Sequence, residues 1–271
     1  MKTEGGQATV FGFDADQWLK KVAGPLFAAG WLFLAGGAAV AGGDASSGRV
    51  VVVAQDGSGA YTEIQAAIDN ALPGDTILIK PGNYREDVVV HSKDRLKLIG
   101  ESRDQVTILG LKRVGAFRIG KWPYGANDIE VRDLTVSQNG GLAVGIFNGT
   151  KIRLANIRVQ GLLYVQQAKD VRIERSLLGG SETTGVSFSD AQGEVIGNEI
   201  RDNDHGITVA GKSDVRIEGN VITNSLYDAV VFQPGSKGVV VGNRLIKNGG
   251  AISVQDGAHA DLNGNTIASA P

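Results

Sequence analysis

The sequence predicts an all-β fold, a single-stranded right-handed parallel β-helix with rungs of about 22 residues and a short capping α-helix at its N-terminal end. Three observations carry this. Asp133, Asn156, Ser176, Asn198, Asn220, Asn243 and Asn265 recur at spacings of 23, 20, 22, 22, 23 and 22 residues; such a period, with a small polar residue at one corner, marks a solenoid of stacked parallel strands. A second apolar strand repeats in the rungs at 186–188, 207–209, 230–232 and 252–254. Glycine is abundant at 39 residues and proline scarce at 6, which supplies tight corners without a Pro-rich linker.

Residues 1–49 read as a leader and linker, and residues 50–271 as the β-helix domain. Residues 22–43 carry no charge; Lys20 and Lys21 precede this run and Asp44 follows it. The run is long enough to cross a bilayer as an apolar helix, and Ala39 and Ala41 supply an A-x-A cleavage pattern. A retained membrane anchor and a cleaved signal both put the lysines inside and everything after Asp44 outside. The expected location is therefore extracytoplasmic, in the periplasm, the cell envelope or the medium.

Residues 50–54 read as a strand and 56–59 (DGSG) as a turn. In the short helix that follows, Thr62 and Gln65 form the expected capping box. Ile64, Ala67, Ile68 and Ala71 recur on one face, so the apolar stripe must cover something. Pro73, Gly74 and Asp75 turn into a strand at 76–79, and PGNY leads to another at 88–90. The stretch VVVAQDGSGAYTEIQAAIDNALPGDTILIKPGNYRED, with its G-x-Y-x-E pattern at Gly82, Tyr84 and Glu86, resembles the opening of pectin methylesterases and other members of the pectin lyase-like superfamily. The resemblance covers roughly residues 50–110 and implies a right-handed β-helix whose end is plugged by a strand and helix. The esterases' catalytic residues lie in Q-D-T, D-F-I-F-G and G-R-P-W motifs. None of these occurs here, so the resemblance implies the fold and not esterase activity.

The repeated asparagines are expected to be structural, because an Asn at a turn adopts left-handed angles and bonds to the next rung, building an internal ladder. Alternation sends Val186, Phe188, Ile207, Val209, Val230, Phe232, Ile252 and Val254 inward. No amphipathic helix follows Asn265, and an uncapped C-terminal rung of this kind leads to the expectation of either end-to-end self-association or a lost C-terminal segment.

Rungs lie about 4.8 Å apart, so residues one rung apart in sequence become neighbours in space. Aligning the second strands stacks Thr184, His205, Asp228 and Gly250 in one column and Thr183, Asp204, Tyr227 and Gly249 in the next. One corner then gathers Glu182, Asp202, Asp204, His205, Tyr227 and Asp228, with Lys247 one rung on. A lyase or epimerase acting on uronates needs a neutralised carboxylate, a base for the adjacent proton, and an acid for the leaving oxygen or the opposite face. His205, Tyr227 and Lys247 are candidates for these tasks, with Glu182 and Lys247 placed to touch substrate. Asp202 and Asp204 are candidate ligands for a calcium ion that would neutralise the substrate. A glycoside hydrolase would instead use Asp204 and Asp228 as its carboxylate pair. Asp204, His205 and Gly206 are similar to the G-H-G motif of polygalacturonases without its first glycine, whereas the D-P-H-D motif of alginate epimerases is absent. Strand parity groups His205 and Asp228 with the inward Ile207 and Val230, so a turn-stabilising role competes with a catalytic one.

A second candidate surface is the loop of Lys121, Trp122, Pro123 and Tyr124. Trp122 and Tyr124 there suit sugar rings, and Arg118 and Lys121 suit acidic groups; a packing loop over the helix flank is the competing reading.

Lys and Arg total 27 against 29 Asp and Glu, which offers no electrostatic ground for a nucleic-acid partner. The absence of Cys excludes disulfides, thiolate zinc sites and a cysteine nucleophile. Two function classes remain. One is an envelope enzyme, a lyase, epimerase or hydrolase, that modifies an acidic polysaccharide. The other is a non-catalytic β-helix that binds glycan or serves as a spacer or assembly element. The clustered His, Tyr and carboxylates favour the first and the missing motifs favour the second. Whether the 182–228 corner is open or closed by side chains discriminates between them.

Overall fold

The computed structural model describes residues 48–111, 115–121 and 123–268; the apolar segment 22–43, its leader and Trp122 lie outside these. Among the described residues the strands form two parallel sheets, one of ten and one of fifteen strands. One coil shows the path. Asp214–Glu218 lies in the ten-stranded sheet, and the chain turns at Gly219 and Asn220 into Val221–Ser225. It bends at Leu226 and Tyr227 into Asp228–Phe232, then turns again into Lys237–Val241. Each strand pairs in parallel with its equivalent one coil on: Asp214 with Lys237, Val221 with Arg244, Val230 with Ile252.

Alternation dictates the core. Ile217, Ile222, Val230 and Phe232 all point inward and are fully buried, each contributing roughly 1.5–3 kcal/mol of hydrophobic stabilisation. Gly193 and Gly238 make room for the large members of this core. A Cβ on either would stand 2.9 Å from a ring carbon of Phe188 or Phe232.

The first coil is covered by α1 (Ile64–Asp69), whose Ile64, Ala67 and Ile68 are buried. The expected Thr62–Gln65 capping box does not form. The N-cap is Glu63, without a side-chain cap bond, and the carboxylate of Glu86 accepts from the backbone N–H groups of Ile64 and Gln65 at 2.8 Å each. The coil carries Glu86 over the helix start. Gln65 is engaged elsewhere, accepting from the Val89 N–H at 2.7 Å and donating to its carbonyl at 3.2 Å.

The ladder forms, with its phase corrected. Asn198, Asn220, Asn243 and Asn265 follow the left-handed residue of each turn, which is Gly197, Gly219, Gly242 or Gly264 at φ 62–64°. Asn198 donates to the Asn220 Oδ1 at 3.0 Å, Asn220 to Asn243 at 2.9 Å and Asn243 to Asn265 at 2.9 Å. Asp133 and Asn156 instead occupy the left-handed position itself, at φ 60° and 50°. Leu134 and Ile157 fill their ladder slots from within the core. Counting from Asn156 to Ser176 therefore mixes two columns; the register pairs Ala155 with Glu174, a step of 19 residues.

At the far end, Val254, Leu262 and Ile267 stand in columns continuous with the buried Phe232, Val240 and Leu245. They are 40%, 50% and 67% exposed, because no further described coil covers them.

Candidate functional site

The corner that joins Glu199–Asn203 to His205–Ala210 recurs one coil on between Val221–Ser225 and Asp228–Phe232. Ladder pairing sets Thr184 beside His205 and Asp228 beside Gly250. The His205 N–H donates to the Thr183 carbonyl at 2.9 Å and the Tyr227 N–H to the Asp204 carbonyl at 2.8 Å. The two expected columns are thus adjacent stacks. The inward parity expected of His205 and Asp228 is overturned by the bend. Ala229 and Val230 are both fully buried, and a Cβ on Gly206 would meet Ile222 of the core at 2.6 Å, so two consecutive positions face inward. His205 and Asp228 are left half-buried at the surface.

The His205 and Tyr227 rings come together at 5.2 Å between centroids, with planes inclined by 33°. Tyr227 is 54% exposed and the neighbouring Leu226 63%, so the corner is open. The Nδ1 of His205 is buried without a hydrogen-bond partner, and no protein acceptor there fixes the tautomer. A Cβ on Gly250 would overlap a carboxylate oxygen of Asp228, so the carboxylate lies over the next rung.

Two predicted members stand apart from this stack. Gly180, Asp202, Asn224 and Lys247 form the left-handed column of the same turn, at φ 70°, 59°, 56° and 56°. Lys247 is exposed and stands one coil beyond the coil of Tyr227, as expected, but in the left-handed column with Asp202 and Asn224 and not in the column of Tyr227. Asp202 accepts from the Asn224 amide at 3.1 Å and lies 3.9 Å from the Arg201 Nε. Among the described residues no three His, Cys, Asp or Glu side chains gather in a group able to hold a metal ion, whereas calcium takes about six to eight oxygens. Glu182 is exposed at the same corner.

The second predicted surface is remote. Arg118 faces Gly145, and the column continues through Tyr164 and Ser187 to Thr208, roughly 19 Å along the axis. Burial pulls the Arg118 guanidinium below its ordinary pKa, with Asp87 opposing, and its Nε is buried without a partner. Tyr124 is 65% exposed, and its carbonyl accepts from the Lys121 N–H at 2.7 Å to close the loop.

One feature went unforeseen. A groove of about 320 Å³ is lined by Arg158, Gln160, Leu177, Gly179, Arg201 and Asp202, among others. It lies where Arg158–Gln166, Leu177–Gly179 and Glu199–Asn203 stack. Aligning the first strands of these rungs, as was done for the second, places Gly179 between Gln160 and Arg201 and reveals the gap.

A family model described as "Right handed beta helix region" matches residues 124–271, more than half of the chain. The chain belongs to this right-handed β-helix family. The "Probable pectinesterase/pectinesterase inhibitor 6" of Arabidopsis thaliana is 36% identical over 103 residues, 35% of this chain and 17% of that protein. The β-helix chain therefore spans about a sixth of that relative's length. Among solved structures, pectate lyase Pel9A superposes with a TM-score of 0.55 at 14% identity, covering 83% of this chain and 79% of its own. The A-module of the Azotobacter vinelandii mannuronan C-5 epimerase AlgE4 gives 0.52 at 18% identity, covering 74% and 71%. At these identities the shared property is the pectin lyase-like right-handed β-helix itself.

Proposed function

We propose that this β-helix acts outside the cytoplasm on an acidic polysaccharide, at the corner of Asp204, His205, Tyr227 and Asp228. The observation that carries the reading is the His205–Tyr227 ring pair, 5.2 Å apart on an open corner. A neutral imidazole accepts the proton next to a uronate carboxylate, and the exposed phenol donates to the leaving oxygen or the opposite face of the ring. Asp204 and Asp228, half-buried beside the ring pair, offer carboxylates to the sugar hydroxyls, and the exposed Glu182 and Lys247 extend the contact along the turn. The fold neighbours named as a pectate lyase and a mannuronan epimerase support a carbohydrate-directed reading, as does the probable pectinesterase relative. Lys20 and Lys21 before the uncharged 22–43 run support export or anchoring.

The missing Q-D-T, D-F-I-F-G and G-R-P-W motifs favour a second reading, glycan binding without turnover. The test is to incubate the chain with polygalacturonate and alginate, following unsaturated ends by ultraviolet absorbance, reducing ends, and ring inversion by NMR. Turnover that falls about a hundredfold or more in His205→Ala and Tyr227→Phe supports the catalytic corner. Turnover unchanged in Asp204→Asn, His205→Ala and Tyr227→Phe alike removes it. Binding without turnover leaves the second reading.

A further inference from the structure

The geometry points to a separate anion-recognising subsite beside the corner: the groove between Arg158 and Arg201 takes two carboxylates of a short polyuronate segment. This rests on the reading that the chain recognises an acidic polysaccharide, and it adds the residues that read the charge.

The groove is a built feature, not a flexible gap. Its floor is bare because Gly179 cannot carry a side chain: the backbone carbonyl of Arg201 occupies the space a Cβ would take. Gly180 beside it has φ +70°, where a side chain is strained. Leu177, half-buried, supplies an apolar patch for the C–H face of a sugar, and the exposed Gln160 offers an amide to its hydroxyls. A volume of about 320 Å³ falls at the small end of ligand sites.

The walls carry the charge. The pairings of Arg158 with Leu177 and of Gly179 with Arg201 put the two arginines on either side of the bare rung, roughly 10 Å apart along the axis. Arg158 meets Asp104 through Nη2 at 2.7 Å, which leaves Nε and Nη1 of the fork for a ligand. The ion-pair distances from Arg201 Nε to Glu199 and Asp202 are 3.4 and 3.9 Å, longer than a normal hydrogen bond. Each guanidinium therefore retains donors suited to a carboxylate. The carboxylates of Asp104, Glu199 and Asp202 at the rim make the groove selective, since an acidic chain gains only where its own charges fall opposite the two arginines. Gly180 and Asp202 line the groove and also belong to the turn that carries Asp204 and His205. A chain held in the groove thus continues into the corner.

The test uses the full chain, titrated by calorimetry with a short oligogalacturonate and with a neutral glucan of equal length. Arg158→Gln, Arg201→Gln and the near-isosteric Gln160→Glu each weaken oligogalacturonate binding about tenfold. Wild-type affinity falls as salt is raised, the glucan does not bind, and thermal melts stay unchanged. Gln160→Glu alters only an exposed amide, so it tests the site even where an arginine variant folds poorly. Wild-type affinity in all three variants, with turnover still lost in His205→Ala, overturns the groove and leaves the corner standing. A wild-type chain that neither binds nor turns over any polyuronate overturns the functional reading, and the groove assignment with it.

Discussion

Asn220 shows how much one residue carries in this fold. Fully buried, it donates to the Val195 carbonyl at 2.8 Å and to the Asn243 Oδ1 at 2.9 Å, and accepts from the Asn198 N–H and amide at 2.9 and 3.0 Å. Asn220→Ala strands a backbone donor and a backbone acceptor inside the turn, and about 2–4 kcal/mol of stability is lost, read as a lower urea midpoint. Asn220→Asp is worse at neutral pH, because a carboxylate cannot donate to Val195 and brings a charge into the stack. An aspartate variant as stable as wild type would mean that the ladder is not the hydrogen-bonded chain described. Asp75 makes a different contribution. Its carboxylate, 3% exposed, is gripped by Arg49 through Nη2 at 2.6 Å and by the N–H groups of Arg49 and Leu72 at 2.9 Å each. The Arg49 hydrogen bond holds this carboxyl below its ordinary pKa against the opposing effect of burial. A lowered folded-state pKa stabilises the protein above the unfolded value of about 3.9, and the contribution is lost as pH falls through the folded one. Asp75→Asn therefore costs about 1–2 kcal/mol at neutral pH, discounted for the exposure of Arg49. In urea titrations its gap to wild type closes as pH drops below about 4; a gap constant down to strong acid would dissociate the effect from charge.

α1 separates what a local pattern reveals from what it hides. The apolar face of Ile64, Ala67 and Ile68 follows from spacing alone, and the strands Thr76–Ile79 and Val88–Val90 appear where their β-branched residues put them. The cap does not follow from local sequence, because Glu86 reaches the helix start from the next coil, 21 and 22 residues away. Glu86→Ala leaves the N–H groups of Ile64 and Gln65 without their partner, costs about 1–2 kcal/mol, and speeds hydrogen exchange at those two amides. Exchange unaltered there would show that the helix is held by its buried face alone. The ladder phase was hidden in a similar way: an Asn in the left-handed slot, as at Asn156, and one turned inward, as at Asn198, look alike until the neighbouring Ile157 or Gly197 is assigned its place. At the corner, column stacking foresaw the approach of His205 and Tyr227. Period-two parity misjudged His205 and Asp228, because the bend turns both Ala229 and Val230 inward. The groove escaped notice because a glycine such as Gly179 gives no chemical signal until its rung neighbours are aligned.

Among the described residues the strands of each coil pair only with those of the coils before and after it, so stability is close to a sum of coil and interface contributions. The last described coil lacks one of those interfaces. Val254, Leu262 and Ile267 hold core columns yet remain 40–67% exposed. The His259 and Thr266 N–H groups bond back to Ser236 and Asn243 at 3.0 and 2.8 Å. Opening this coil breaks a single interface, the one that covers Phe232, Val240 and Leu245, and leaves the preceding coils intact, whereas freeing Asp214–Glu218 requires breaking contacts on both sides. Amides of His259–Asn263 and Thr266–Ala268 should therefore exchange roughly a hundredfold faster than those of Asp214–Glu218, and their exchange should rise less steeply with low denaturant, as a partial opening requires. Equal protection across both regions in dilute protein would mean that something covers the final rung. Repeating the measurement at rising protein concentration identifies a second copy as the cover: pairing of these edges slows exchange only in the last coil, while a monomer shows the same pattern at every concentration.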